Sequence, residues 1–179
     1  AGCAVQPDGN GFLDVSMYSN IGSGTFYGCT DLKSLVIGKL TRIIGDNAFE
    51  GCSNLVEVFF DEGIREIGKY AFKGTALRKL DLPDTVQEIH VQAFYQIKSM
   101  ISLNMGNGVH TIWDEAFNGI GLVGELILGK NVTAIYAGAF AGVTGIKSLT
   151  TSERSYLAFR FAAFDTASGL KNLTIKCDV

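Results

Sequence analysis

His90 and His110 are the only histidines among the 179 residues, so acid–base or metal chemistry would have to be built around them. Neither stands beside a serine or cysteine with an orienting carboxylate in its own stretch of chain, as a nucleophile, base and orienter require. No cysteine-pair or histidine-pair spacing for zinc occurs, and no glycine-rich phosphate loop follows an apolar run. The acidic residues Asp46, Asp61, Glu62, Asp114 and Glu115 are scattered. These observations predict no enzyme, no cofactor and no metal site.

Recognition chemistry has better candidates. One column of residues, spaced 22 to 24 apart, reads Gly22, Gly45, Gly68, His90, Trp113, Tyr136 and Arg160. Four large side chains with polar tips follow three glycines, and exposed Trp, Tyr and Arg are the residue types most often found at binding hot spots. Such a ladder suits a protein or a glycan. The competing reading is that the rings stack on each other over a thin part of the core. A second column, Val36, Phe59, Asp81, Asn104, Ile127, Thr150 and Thr174, puts Phe59 and Ile127 where solvent is expected. A third candidate is the apolar pair Leu157 and Phe161, in columns that hold Arg42, Arg65, Gln87 and His110, or Asp46, Lys69 and Asp114, elsewhere in the chain. Unexplained outward apolarity of this kind suggests a contact surface, or equally a coil whose backbone has shifted.

The elements that position these columns follow from repetition. A small residue followed by phenylalanine recurs at Phe26, Phe49, Phe72, Phe94, Phe117, Phe140 and Phe164, with gaps of 23, 23, 22, 23, 23 and 24 residues. Self-similarity at this period is the signature of a stacked solenoid. Between the phenylalanines run apolar sets such as Leu32/Leu35/Ile37, Leu77/Leu80/Leu82 and Val123/Leu126/Leu128, whose last two members are two apart and so share one face of a strand. A turn follows, and then a second apolar pair three apart, as in Ile64/Ile67 and Val109/Ile112. The small-Phe pair is expected in a single helical turn ended by Gly28, Gly51, Gly74, Gly119 or Gly142. One coil is therefore strand, turn, short extended segment and helical turn. The predicted fold is an α/β repeat solenoid of about seven coils over residues 12–176, with residues 1–11 as an N-terminal segment or cap and 177–179 as a short tail.

At this point the chain resembles the BspA-like class of leucine-rich repeats, whose pattern reads Leu-x-x-Leu-x-Leu-Pro, Val-x-x-Ile-Gly and Ala-Phe-x-x-Cys-x-x-Leu. The match is plainest over Ile43 to Leu55 and over Leu77 to Pro83. The resemblance implies a right-handed leucine-rich-repeat superhelix, and surface-exposed or secreted adhesion and recognition.

Composition agrees with a packed module: 47% apolar and 18% charged residues make an ordinary globular balance. The net charge of −3 leaves no basic footprint for nucleic acid. No apolar run approaches the about 20 residues that cross a bilayer. Cys29 and Cys52 share a column one coil apart, so they are either packed thiols or a bridged pair, while Cys3 and Cys177 at opposite ends could each bond a nearer cysteine or another chain. Asn131-Val132-Thr133 is a candidate glycosylation site. The chain does not start with Met, which leaves room for a removed targeting peptide and an extracellular or cell-surface location, or another oxidising compartment. The leading expectation is a non-catalytic recognition or adhesion module for a protein or glycan; the alternative is a structural subunit docked in a larger assembly through its C-terminal coil.

Overall fold

A computed structural model describes residues 2–152, 158–159, 163–164 and 172–176. Within them the chain winds as a parallel β-solenoid with two strand walls. The long wall holds β1 (Phe12–Asp14), β2 (Ser34–Ile37), β4 (Glu57–Phe60), β6 (Lys79–Asp81), β8 (Ser102–Asn104), β10 (Gly124–Ile127), β12 (Ile146–Ser152) and β14 (Asn172–Lys176). The short wall holds β3 (Ile43–Ile44), β5 (Glu66–Ile67), β7 (Glu88–Ile89), β9 (Thr111–Ile112), β11 (Ala134–Ile135) and β13 (Ala158–Phe159). Each long-wall strand from β1 to β12 is followed by one of the phenylalanines, and β14 comes after the last.

Period-2 alternation decides which side chains face inward. Leu35, Leu80 and Leu126 are buried at the strand centres, as are Ile37, Phe60, Leu82, Met105 and Leu128 two residues later. On the short wall Ile44, Ile67, Ile89, Ile112 and Ile135 are fully buried. All seven phenylalanines form one row, with neighbouring ring centroids 5.2–5.3 Å apart and planes within 13° of parallel. No coil buries these faces alone; stacking does it. Truncating one such ring to alanine costs roughly 3–5 kcal/mol.

The phenylalanine turns correct the α/β expectation: among the described residues there is no helix. The reason lies in the backbone. The residue two before each phenylalanine from Phe26 to Phe140 and the residue two after it both take left-handed φ, as at Asn47 (61°) and Gly51 (76°) around Phe49, or Gln92 (52°) and Gln96 (57°) around Phe94. A helix ends at one such residue, so a pair four apart leaves no room for even one regular turn. The freed N–H groups bond to the next coil instead. Asn47, Phe49 and Gly51 donate to the carbonyls of Lys69, Ala71 and Lys73, each at 2.8 Å, while Ala48 and Glu50 close local turns onto Gly45 and Asn47. The turns thus make a third ladder.

The short wall is continuous, but the long wall is not. Its strands pair as β1-β2-β4, β6-β8 and β10-β12-β14. The break between β8 and β10 lies where the segment leading into β10 departs from the common pattern. Leu122 is buried and Val123 exposed, against the expected inward Val123, and Gly124 beside them takes a left-handed φ of 89°; against β12 the register skips Lys147 between the Gly124–Ile146 and Glu125–Ser148 pairs.

At the N-terminal end, Cys3 bonds Cys29 across a Cα–Cα distance of 4.8 Å, and Gly2 N–H donates to the Tyr27 carbonyl at 2.8 Å. Cys29 therefore does not bridge to Cys52, which is a free, buried thiol. Its Sγ donates to the Phe26 carbonyl at 3.1 Å, and burial pushes its pKa up to about 11.

Candidate functional site

The column after the inward isoleucines lies beside the short wall. At its start the backbones of successive coils approach too closely for a side chain: a Cβ on Gly45 would lie 2.6 Å from Ser23 N, and one on Gly68 2.7 Å from Asp46 Oδ1 and 2.8 Å from Asp46 N. The glycines floor a trough, and His90 closes its end. The cleft there has a volume of about 270 Å³ and is lined by Ile43, Asp46, Glu66, Lys69 and His90 among others. From His90 onward the column is filled with rings. His90 and Trp113 stack at 6.2 Å and 10°, and Trp113 and Tyr136 at 4.4 Å and 16°. All three are half-buried. The rings cover one another, so their edges meet solvent more than their faces do. Trp113 Nε1 is buried with no hydrogen-bond partner.

A group that motif spacing did not reveal adjoins this column. β5 and β7 pair with Glu66 directly opposite Glu88, and the two-residue period of β7 and its continuation brings His90 to the same side. His90 Nε2 lies 3.3 Å from Glu88 Oε2 and 3.9 Å from Glu66 Oε2. One ligand atom from each of the three falls within 4.8 Å of the others. The signal in the sequence was a glutamate recurring one coil apart, 22 residues on, followed two residues later by histidine.

On the long wall Phe59 is 58% and Ile127 55% exposed. Phe59 sits against Val36 in the β2/β4 register. Ile127 has more company, since Ile101 (58%) and Val123 (63%) are exposed on the segments leading into β8 and β10. Where these strands part, a cleft of about 420 Å³ opens, lined by Leu103, Asn104, Met105 and Ile127 with Asp84 and Asn107 as polar members. Asp84 and Asn104 are already engaged through Oδ1, accepting from Asn107 N at 2.9 Å and from Gly106 N at 3.1 Å. In the same outward column Thr150 is buried and its hydroxyl donates to Glu125 at 2.9 Å. Ile127 and the ring column lie on different walls, so the structure does not bring these candidates together.

Arg160, Leu157 and Phe161 lie outside the described residues. Asn131 is exposed in the turn after β10, and its amide donates to the Asn107 carbonyl at 2.6 Å. Among the described residues no helix is long and apolar enough to cross a membrane.

Fold and surface together define a repeat solenoid with its interior filled by side chains. The pattern of the BspA type leucine rich repeat region matches in six copies, over residues 19–147 and 88–179. The chain belongs to this family. Among solved structures it is similar to the leucine rich repeat protein TpLRR of T. pallidum, at 20% identity and a TM-score of 0.60 over 94% of this chain and 71% of that one. A leucine-rich repeat protein of Bacteroides ovatus matches at 18% identity and a TM-score of 0.43, over 88% of this chain and 59% of that one. A leucine rich cell surface protein of Faecalibacterium prausnitzii matches at 14% identity and a TM-score of 0.42, over 98% of this chain and 82% of that one. Comparison with curated proteins yields no match.

Proposed function

We propose that this chain is a non-catalytic recognition or adhesion module, secreted or displayed on a cell surface, that holds a partner on its long wall at β8 and β10. The observation that carries this reading is the exposure of Ile127 at the 420 Å³ cleft, with Ile101 and Val123 also exposed on the segments leading into β8 and β10. Exposed apolar side chains beside polar groups are the ordinary composition of a protein-binding patch. A protein segment fits this patch better than a glycan does. Sugars favour open ring faces, and the His90, Trp113 and Tyr136 faces are largely used against each other. The Cys3–Cys29 disulfide supports an oxidising compartment.

Binding of the intact chain to arrayed peptides and arrayed glycans, and retention on cells, tests the reading. Ile127→Asp is expected to weaken peptide or cell binding about tenfold or more, because a hot-spot truncation removes on the order of 1–2 kcal/mol and the new charge is desolvated besides. Trp113→Ala is expected to change it little. Absence of binding above background, or binding indifferent to Ile127→Asp in a folded variant, would remove the support.

A further inference from the structure

We propose that Glu66, Glu88 and His90 form a binding site for a zinc-type divalent metal ion that ties two adjacent coils together. The first two residues are like charges placed face to face in register on β5 and β7, an arrangement that destabilises a sheet unless a cation is shared between them. Among the described residues the ion pairs of both carboxylates run only to His90. An imidazole nitrogen and two carboxylate oxygens are the donor set of a borderline transition metal, whereas hard cations such as calcium take six or more oxygens.

The geometry suits this use. Ligand atoms around a tetrahedral ion at 2.0–2.1 Å lie roughly 3.3 Å apart. The His90–Glu88 pair already stands at 3.3 Å and the His90–Glu66 pair at 3.9 Å. The group spans at most 4.8 Å, so rotation of two partly exposed glutamates closes it. The glycine-floored cleft of about 270 Å³ gives access on the Glu66 and His90 side and leaves room for water at the remaining positions. Behind, the His90 ring is held by its stack on Trp113, which fixes its plane. Buried Cys52 belongs to the interior and takes no part.

The experiment is titration of the tag-free, chelator-treated chain with Zn²⁺ by calorimetry, with melting temperature followed in parallel. One equivalent is expected to bind, with a melting temperature that rises with zinc concentration as linkage requires. Glu66→Gln with Glu88→Gln, and separately His90→Gln, are each expected to weaken binding about tenfold or more and to abolish the thermal shift. His110→Gln and replacement of Zn²⁺ by Mg²⁺ are the controls, expected to bind zinc normally and not to bind at all. Circular dichroism establishes that each variant is folded; should the double variant fail, His90→Gln decides alone. Absence of zinc binding at millimolar concentration, or binding that survives these substitutions, overturns the proposal. It leaves the long-wall reading untouched, since Ile127 lies on the other wall.

Discussion

Two buried polar groups set the residue-scale predictions. Thr151 stands in the inward column that elsewhere holds Ile37, Phe60, Leu82, Met105 and Leu128, and its Oγ1 is buried without a partner. Thr151→Val keeps the shape and removes the orphaned hydroxyl, so it is expected to stabilise the chain by about 1 kcal/mol in chemical denaturation. Cys52 is the second. Its pKa of about 11 in the fold, above the ordinary thiol value of 9.0, means that the folded state keeps its proton where the unfolded state has lost it. Stability from this group is therefore full below about pH 9 and declines as pH rises from about 9 to about 11. Denaturation midpoints at pH 8 and pH 10.5 are expected to fall more in the native chain than in Cys52→Ala, and the native thiol should resist a thiol-specific reagent at pH 8. Both groups were visible in the sequence as members of an apolar column. Their missing or local partners were not, since those depend on which carbonyl the neighbouring coil presents.

The turn around each phenylalanine is the element whose nature spacing alone did not reveal. Gly28, Gly51, Gly74, Gly119 and Gly142 were legible as left-handed positions, and they have φ of 69–78°. Reading a helical turn before them was natural but wrong, because a second left-handed residue stands four places earlier, at Gly24, Asn47, Tyr70, Glu115 and Gly138, and Tyr and Glu are types that do not announce such a backbone. The same logic isolates one weak point. Coil four has Gln96 at φ 57° in the glycine position. A left-handed non-glycine residue costs about 1–2 kcal/mol, offset in part by the extra chain entropy of glycine. Gln96→Gly is therefore expected to raise stability by about 0.5–1 kcal/mol, even though it gives up an exposed hydrogen bond to Asn118. Likewise the strand period placed Ile127 and Phe59 outward, yet the parting of β8 from β10 was hidden. It accompanies the exchange of Leu122 for Val123 as the inward residue before β10, which the unchanged 23-residue spacing of the phenylalanines does not reveal.

For the whole molecule, the row of seven rings made the architecture readable at once, whereas the candidate sites needed three dimensions because each joins residues from different coils. The covalent tie at the N-terminal end belongs to this scale too. The Cys3–Cys29 bond spans 26 residues, a separation at which the chain-entropy account assigns about 3–4 kcal/mol. Reduction, or Cys3→Ser, is expected to lower the denaturation midpoint accordingly and to speed amide exchange first at Gly28 and its neighbours rather than along the rod. The turn ladder carries a wider implication. Gly24, Phe26 and Gly28 donate to Asp46, Ala48 and Glu50, Asn47, Phe49 and Gly51 to the coil beyond, and so on to Phe140 and Ala163, always in one direction. At the starting coil only acceptors are left over, and Gly2 answers one of them at Tyr27. Two copies abutting by their starting coils would set lone pairs against lone pairs along this edge, which disfavours a two-fold dimer there. Any end-on association through this ladder must be head-to-tail, and a head-to-tail contact propagates unless something stops it.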